Sequence, residues 1–454
     1  MAMASVNPTT GDTVQSFETW DGDQLNAALQ QVADVTPGWQ RTSISERGTM
    51  LKAVATELLD DIDHYAGLIT LEMGKVIKES RTEIEKCAWV CDYYAEHAGD
   101  FLKDEVMASD AGRSYVAHLP LGTVLAVMPW NFPFWQVFRF AAPGLMAGNT
   151  AVLKHASNVP QCALAIEACM RKAGLPEGVF RTLMIPASGV QTVIEDPRIH
   201  AVTLTGSEPA GRKVAAAAGA NLKKSVLELG GSDAFVVLAD ADLAQAASAG
   251  VASRYLNSGQ SCIAAKRFIL VKDIAEDYLT LFKEKARALV QGDPTQEQTQ
   301  IGPMARADLR EELHQQVTDS IGQGAVAALG CEPVDGPGFH YKVSILDKVK
   351  PGIRAYEEEL FGPVAIVIRA EDDEDALRIA NDSRYGLGGA VWTQDPVRGE
   401  TFARGMQSGA TFVNGLVKSD PRLPFGGIKA SGYGRELSIH GIREFVNAKT
   451  VWIK

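Results

Sequence analysis

The stretch AVTLTGSEPAGRKVAAAAGA, residues 201–220, contains the unit that decides the fold. Its first part, Ala201–Thr205, is a short apolar run that predicts a buried strand. The turn Gly206-Ser207 follows, and a helix is predicted near Pro209–Ala220. A strand, a glycine turn and a helix in this order are typical of the crossover unit of a parallel sheet.

The same alternation recurs on both sides of this unit. The predicted strands are Val124–Met128, Thr150–Lys154, Phe235–Leu238, Arg267–Val271, Ala365–Ile368, Ala390–Trp392 and Thr411–Asn414, and the helices include Val159–Lys172, Asp373–Asn381 and Val397–Met406. Strands that alternate with helices indicate open parallel sheets covered by helices. We therefore predict an α/β fold with two open parallel domains that meet near Glu228.

Three further segments fall outside this alternation. The pattern from Asp23 to Gly99 is helical, and Ser43–Glu46 forms a Ser-x-x-Glu capping box at a helix start. The alternating segment Ser114–Thr123 predicts a hairpin strand, and Phe445–Ile453 predicts an exposed terminal strand.

The composition argues against several classes of protein. The chain carries 44 Lys and Arg against 56 Asp and Glu, a net charge of −12, without a dense basic run, so nucleic acid is not an expected partner. No apolar stretch approaches the ~20 residues that span a bilayer, and the first residues lack the pattern of a secretory signal. We expect a cytoplasmic protein without a membrane partner, whose 6 cysteines are free thiols. The 8 histidines have no spacing that suits a metal, so none is expected.

Cys262 is a candidate nucleophile. It ends the segment Asn257-Ser258-Gly259-Gln260-Ser261-Cys262, a loop that lies just before a predicted strand. A reactive thiol needs a loop, partial access and a lowered pKa, and the small polar neighbours favour that environment. The alternative, a buried structural cysteine, stays open on this segment alone.

Two polar residues at predicted strand ends are candidates for the same site. Glu228 ends an apolar strand before Gly230-Gly231, where partial desolvation would raise the pKa of its carboxyl and suit it to general base work. Asn131 follows another strand, at the sheet edge where ligands bind, and its amide could donate to an oxyanion. The alternatives are a surface carboxylate and a turn-forming asparagine.

Glycines after the strand Ala201–Thr205 offer a weaker indication of a ligand site. The segment Gly206-Ser207-Glu208-Pro209-Ala210-Gly211 opens a helix, and such a turn binds anions by geometry. It is not the Gly-x-Gly-x-x-Gly fingerprint of dinucleotide-binding proteins.

Six motifs, in order, resemble those of the aldehyde dehydrogenase superfamily. They are Pro129-Trp130-Asn131-Phe132-Pro133, Thr205-Gly206-Ser207, Leu227-Glu228-Leu229-Gly230-Gly231, Gly259-Gln260-Ser261-Cys262, Glu359-Leu360-Phe361-Gly362-Pro363 and Pro424-Phe425-Gly426-Gly427-Ile428-Lys429. The resemblance runs from Asn7 to Trp452 and is strongest to the succinate-semialdehyde branch of enteric bacteria and cyanobacteria. It implies an enzyme in which Cys262 is the nucleophile, Glu228 the base, and Asn131 the oxyanion donor together with the Cys262 N–H.

The resemblance also implies a nicotinamide cofactor. Its expected contacts are Trp130, Lys154 at the adenine ribose, Gly206, Ser207 at the pyrophosphate, and Glu359 and Phe361 at the nicotinamide ribose and ring. Many NAD-preferring relatives carry a glutamate three residues after the lysine, and here that residue is Ser157. We therefore expect preference for NADP, with NAD used less well.

For the substrate, the resemblance implies succinate semialdehyde, which carries a carboxylate. Arg139 matches a carboxylate-binding arginine, Ser419 an assisting hydroxyl, and Trp135 with Leu256 an apolar tunnel wall. Arg139 is eight residues after Asn131, which would put both on one helix face, within about 80°. Some relatives place a second arginine where this chain has Leu256, so a single cation is expected. For Arg139, the alternative is a surface arginine paired with an acid. For the substrate, the alternatives are another semialdehyde such as glutarate semialdehyde, or an aliphatic aldehyde. For the function, the alternative is a non-catalytic protein of the same fold.

The resemblance finally implies three structural parts. We expect a Rossmann-type cofactor-binding domain from 1–103 and 124–227, a catalytic domain from 228–432, and a small β oligomerisation flap from 104–123 and 433–454. The flap strands would leave open sheet edges unless covered, so a homodimer, or a dimer of dimers, is expected.

Overall fold

The computed structural model describes residues 3–454. Its helices are α1 Gly22–Arg41, α2 Ile44–Asp60, α3 Ile62–Met73, α4 Ile77–Phe101, α5 Trp135–Met146, α6 Pro160–Lys172, α7 Val190–Glu195, α8 Glu208–Ala220, α9 Leu243–Tyr255, α10 Ala275–Arg287, α11 Ala307–Gly322, α12 Arg354–Glu357, α13 Asp373–Asn381, α14 Pro396–Gly405 and α15 Ser438–Glu444. Its strands are β1 Met3–Val6, β2 Thr13–Phe17, β3 Glu105–Val106, β4 Arg113–Pro120, β5 Thr123–Met128, β6 Thr150–His155, β7 Phe180–Thr182, β8 Ile199–Thr205, β9 Lys224–Glu228, β10 Asp233–Val237, β11 Ala265–Val271, β12 Val326–Leu329, β13 Ser344–Asp347, β14 Val364–Ala370, β15 Tyr385–Gly386, β16 Gly388–Trp392, β17 Ala410–Val413, β18 Ile428–Lys429, β19 Gly432–Tyr433 and β20 Val446–Ile453.

The first sheet carries the strand order β19-β9-β8-β5-β6-β7. Strands β9, β8, β5, β6 and β7 are parallel, and the short β19 pairs with β9 in the antiparallel sense. The carboxyl ends of parallel strands share one edge, which is where ligands of such sheets bind. That edge brings together the ends of β5, β6, β8 and β9, and with them Asn131, Lys154, Gly206 and Glu228.

The second sheet has the order β12-β13-β14-β11-β10-β16-β17, parallel except for β12. Helices cover both sheets, and α5 is buried along its whole length because Trp135–Met146 is almost entirely apolar. The α/β fold with two open parallel sheets is thus confirmed. The capping box is also confirmed, since the Ser43 hydroxyl accepts from the Glu46 N–H.

A third, small sheet is formed by β20, β4 and β3. The whole of β20 pairs antiparallel with β4, and its exposed apolar residues include Trp452, which is 50% exposed. Helix α15 lies within the range 433–454 that was predicted to belong to the flap, but it packs against α4 and α5. Within residues 3–454 no helix is long and apolar enough to cross a membrane. The domain division 1–103 with 124–227, 228–432, and 104–123 with 433–454 stays a prediction.

Candidate active site

The loop that carries Cys262 is held in an unusual backbone conformation. Asn257, Ser258 and Gly259 have φ values of 54°, 53° and 75°, all in the left-handed region. A Cβ atom on Gly259 would lie 2.2 Å from the Gly362 carbonyl oxygen, so this position needs glycine for both conformation and space. Non-glycine residues in this region cost roughly 1–3 kcal/mol each and persist where the surroundings fix them.

Hydrogen bonds to distant elements fix this loop. The Glu79 carboxylate on α4 accepts from the Asn257 N–H (2.8 Å), and the Asn257 side chain donates to the Asn131 carbonyl (2.8 Å). The Gln260 side chain accepts from the Ala305 N–H (2.9 Å). The loop is therefore tied to α4, to the end of β5 and to the segment before α11, which gives the thiol a defined position.

Arg254, which sequence reasoning missed, anchors a second loop against the first. Its buried guanidinium donates to the carbonyls of Val364 (2.8 Å), Leu360 (3.0 Å) and Gly362. These carbonyls belong to the segment that carries Glu359 and Phe361. An arginine near the end of α9 gives no local indication that it is buried.

The electrostatic surroundings of Cys262 differ from the expectation. Burial raises the pKa of its thiol to about 12, although Arg139 and Lys266 act to lower it. Glu359 and Asp233 oppose those two cations. The thiol is half-buried, so the partial access expected of a reactive cysteine is present. Its pKa is raised rather than lowered, because desolvation of the thiolate outweighs the nearby positive charges.

Lys266, at the start of β11, is another residue that the sequence did not reveal. Its Nζ donates to the carbonyls of Ser261 and Cys262, each at 2.8 Å, and lies 3.2 Å from the Glu359 carboxylate. The carboxylate in turn accepts from the Gly231 N–H (3.1 Å). This ion pair joins the nucleophile loop to the segment of Glu359.

Asn131 lines the same cavity as Cys262, and hydrogen bonds hold its amide on both sides. Its Nδ2 donates to the Gln260 carbonyl (3.0 Å), and its Oδ1 accepts from Gln136 Nε2 (3.1 Å). An amide carries two N–H donors, so one remains to bind a ligand. The role of Asn131 and of the Cys262 N–H as oxyanion donors stays a prediction.

Glu228 is buried, and the predicted rise of its pKa is confirmed. Burial is the largest cause and the Glu436 carboxylate the next, while Arg139 and Arg435 act in the opposite direction. Within residues 3–454 neither Glu228 oxygen accepts a hydrogen bond. A Cβ on Gly426 would lie 2.6 Å from Glu228 Oε1, so the carboxylate is turned toward that glycine.

Arg139 is a buried cation with a protein counter-ion. Its guanidinium pairs with the buried Glu436 carboxylate and donates to Gln136 Oε1 (3.2 Å) and Thr205 Oγ1 (3.1 Å). It also stands over the Phe425 ring. It is therefore not a surface arginine, yet its charge is already compensated.

The helical argument that linked Arg139 to Asn131 is wrong. Helix α5 begins at Trp135, so Asn131 lies in the preceding loop and shares no helix face with Arg139. Gln136 connects them instead, since its amide donates to Asn131 and accepts from Arg139.

Two chambers meet at Cys262 and Gln136. The first, which we call the Trp130 chamber, has about 920 Å³ of open space, and its walls include Trp130, Asn131, Gly206, Ser207, Glu359 and Phe361. The second, the Trp135 chamber, has about 940 Å³, and its walls include Lys86, Trp135, Arg139, Leu256, Lys418 and Ser419. The structure thus brings most of the predicted residues together on the two sides of one thiol.

The Trp130 chamber contains features that suit an anionic, aromatic ligand. Ser207 precedes α8, and its side chain makes no capping hydrogen bond. The N-terminus of a helix attracts anions through its free N–H groups. The rings of Trp130 and Phe361 meet edge to face at 5.8 Å.

Lys154 and Ser157 are not among the residues that line either chamber. Lys154 is buried at the end of β6, where its Nζ donates to the His155 carbonyl (2.7 Å), and burial lowers its pKa to about 8. Ser157 is half-buried two residues beyond that strand. Their contacts with a cofactor stay predictions.

The Trp135 chamber contains a cation that the sequence did not reveal. Lys86 Nζ donates to Ser419 Oγ (2.7 Å) and stands 4.2 Å above the Trp135 ring centroid. The expectation of a single cation is therefore wrong. Trp135 Nε1 also donates to Ser419 Oγ (3.1 Å). Lys86 was missed because a lysine within a helical pattern usually faces solvent.

No group of metal-ligating side chains occurs among the residues that the structure describes. The cysteines Cys87, Cys91, Cys162, Cys169 and Cys331 are buried free thiols.

Comparison with known proteins agrees with this geometry. The chain matches the aldehyde dehydrogenase family over residues 1–451. It is 50% identical to a probable NADP(+) succinate-semialdehyde dehydrogenase of Synechocystis sp., over 100% of both chains. It is 48% identical to NADP(+) succinate-semialdehyde dehydrogenase 1 of Mycobacterium ulcerans, also over 100% of both chains. The crystal structure of succinic semialdehyde dehydrogenase from Streptococcus pyogenes, in complex with NADP+, superposes with a TM-score of 0.98 at 36% identity over 100% of both chains. The chain belongs to the aldehyde dehydrogenase family.

Proposed function

We propose that this enzyme oxidises succinate semialdehyde to succinate with NADP as the hydride acceptor. The observation that carries the proposal is the meeting of two chambers at Cys262. One has a free helix N-terminus and aromatic walls, and the walls of the other hold three cations, Lys86, Arg139 and Lys418, together with the carboxylates of Glu79 and Glu83. A thiol between them can reach an aldehyde from one side while the cofactor occupies the other. The names of the relatives from Synechocystis sp. and Mycobacterium ulcerans support this choice.

The residues of the site suit a covalent mechanism. The Cys262 thiol gives its proton to solvent, and the resulting thiolate attacks the aldehyde carbon to form a thiohemiacetal. The new oxyanion accepts from Asn131 and the Cys262 N–H. When bound, NADP supplies the hydride acceptor. Loss of hydride from the former aldehyde carbon leaves a thioester on Cys262. Glu228 then takes a proton from a water molecule that attacks the thioester, which releases the acid and restores the thiol.

The residues present fit NADP. Lys154 is a buried cation that forms no ion pair within residues 3–454, and the Ser207 hydroxyl caps no backbone N–H. Both are suited to phosphate or ribose oxygens. Ser157 is small and neutral, where a carboxylate would repel a 2′-phosphate. We propose that Lys154, Ser157, Gly206 and Ser207 hold the adenosine and phosphates.

For the nicotinamide end of the cofactor, we propose contacts with Trp130, Glu359 and Phe361. All three line the Trp130 chamber next to Cys262. Glu359 is held by Lys266 and by the Gly231 N–H, and its carboxylate would accept from a ribose hydroxyl of the bound cofactor.

The substrate assignment rests on the polar groups of the Trp135 chamber. We propose that Trp135 forms its apolar wall and that Arg139 and Ser419 donate hydrogen bonds to the distal carboxylate, although Glu436 already compensates the charge of Arg139. The test compares kcat/KM for succinate semialdehyde, glutarate semialdehyde and butanal, which lacks the carboxylate. Charge-assisted hydrogen bonds are worth ~1.5–3 kcal/mol, so we expect succinate semialdehyde to exceed butanal by about 10- to 100-fold. Equal efficiency with butanal would refute the assignment, and higher efficiency with glutarate semialdehyde would favour the longer substrate.

We further propose a cytoplasmic homodimer, or a dimer of dimers. The small sheet exposes Val106 (76% exposed), Met107 (48%) and Trp452 (50%), apolar side chains that a partner subunit would cover. Strand β20 also leaves one edge unpaired, because its only partner in the described part of the chain is β4.

A further inference from the structure

The cations of the Trp135 chamber differ in how far their charge is already compensated. Arg139 is buried against the Glu436 carboxylate. Lys418 is exposed at the rim, where water screens its charge. Lys86 lies on the chamber wall, is only partly exposed, and forms no ion pair within residues 3–454. Among these three cations, Lys86 is therefore the half-buried one that has no acidic partner within residues 3–454.

The acids nearest to Lys86 are committed elsewhere. Glu83, one turn earlier on α4, pairs with the buried Lys75 and accepts from the N–H groups of Phe134 and Trp135. Asp420 pairs with Arg422 at 2.7 Å. Neither carboxylate forms an ion pair with Lys86, although both act to raise its pKa.

Ser419 adds a hydrogen-bond donor next to the Lys86 ammonium. Its Oγ accepts from Lys86 Nζ (2.7 Å) and from Trp135 Nε1 (3.1 Å). A hydroxyl oxygen has two acceptor lone pairs, so both are used and its own proton must point to another acceptor. Lys86 keeps two further N–H donors. Together the two side chains present donors, and one positive charge, to a ligand in the chamber.

We propose that Lys86 provides the positive charge that binds the distal carboxylate of the substrate, with Ser419 as its hydrogen-bonding partner. The inference rests on the proposed function, since it requires a substrate with that carboxylate. Trp135 beneath the ammonium holds it in place through a cation–π contact. Burial, and then the charge of Arg139, lower the pKa of Lys86 to about 8, so a bound carboxylate also stabilises its charged form.

The test replaces Lys86 by methionine, which keeps the apolar stem over Trp135 and removes the charge. We expect kcat/KM for succinate semialdehyde to fall about 10- to 100-fold, mainly through KM, because one charge-assisted contact is lost. For butanal we expect a change of about 2-fold or less, since no carboxylate is present. Lys78→Met, an exposed lysine two turns earlier on α4, is the matched control and should change neither substrate.

Two further measurements distinguish failure of the proposed function from failure of the proposed role of Lys86. Lys86→Arg keeps the charge and should retain most of the preference for succinate semialdehyde over butanal. The inhibition constant of succinate, measured against butanal as the varied substrate, should rise in Lys86→Met by a similar factor. If the wild type shows no preference over butanal, the proposed function itself fails. If the wild type shows the preference and Lys86→Met keeps it, or loses both substrates equally, the function stands and the role of Lys86 is overturned.

Discussion

Replacement of Glu228 by glutamine separates the two halves of the proposed reaction. The change removes the base but keeps the shape of the side chain. Thioester formation on Cys262 does not need Glu228, so one turnover of reduced cofactor per site should still appear. Hydrolysis of the thioester should slow by about 10²–10⁴-fold, the usual contribution of a general base, which is ~3–5 kcal/mol of activation free energy.

The structure also predicts the effect of this change on stability. Within residues 3–454 neither oxygen of Glu228 accepts a hydrogen bond, so the glutamine breaks none. Because the pKa of Glu228 is raised in the folded protein, its ionisation opposes folding as the pH rises above the ordinary carboxyl value. Glu228→Gln should therefore be as stable as wild type near pH 4 and more stable near pH 8, by roughly 1–3 kcal/mol.

Stopped-flow absorbance of the reduced cofactor measures the burst, and urea unfolding at the two pH values measures the stability. Glu177→Gln, an exposed carboxylate, is the control and should change neither. An unchanged steady-state rate in Glu228→Gln would show that another group activates the water. Loss of the burst together with loss of stability would show that the buried carboxylate has a structural role.

Four further outcomes are expected. Cys262→Ala should abolish aldehyde oxidation while cofactor binding, followed by fluorescence, is retained; near-normal turnover would refute the mechanism. Gly259→Ala should lower kcat by about 10-fold or more and the free energy of unfolding by roughly 1–3 kcal/mol. The added Cβ would lie 2.2 Å from the Gly362 oxygen, and the φ of 75° at this position disfavours alanine. A variant with wild-type activity and a wild-type urea midpoint would contradict this. Ser157→Glu should lower the ratio of kcat/KM with NADP to kcat/KM with NAD by about 10-fold or more, with Ser157→Ala as control. Equal use of both cofactors by the wild type would count against the proposed preference for NADP. Light scattering at micromolar concentration should give a dimer or tetramer, whereas a monomer would refute the proposed role of the small sheet.

The alternation of strands and helices could be predicted because each segment carries its own periodicity. The predicted strand Val124–Met128 and helix Asp373–Asn381 match β5 and α13 to within a residue. Short elements such as Phe180–Thr182 and Val190–Glu195 escaped, because a few residues carry too little periodicity. Glu228 was predictable since it lies between Leu227 and Leu229 at the end of a strand, which already implies desolvation.

The contacts that define the chambers could not be predicted in the same way. Lys86 and Ser419 are 333 residues apart, and only the packing of α4 against the loop before Phe425 brings them together. The error over Cys262 has a similar origin. The Gly, Ser and Gln residues around it suggested a polar setting. The loop of this half-buried thiol instead accepts hydrogen bonds from Arg254 and Lys266, which are contributed by other elements.

The buried and half-buried lysines of the site fall into two groups, and the division bears on their roles. Those with a protein counter-ion are Lys75 with Glu83 and Lys266 with Glu359. Lys86 and Lys154 form no ion pair within residues 3–454, and desolvation lowers the pKa of each to about 8. An ammonium that is removed from water without a counter-charge destabilises the fold. A purely structural lysine would be expected to have an acid beside it, as the first group does. We therefore propose that ligands bring the missing negative charge to the two unpaired lysines, the substrate carboxylate to Lys86 and a phosphate of the cofactor to Lys154.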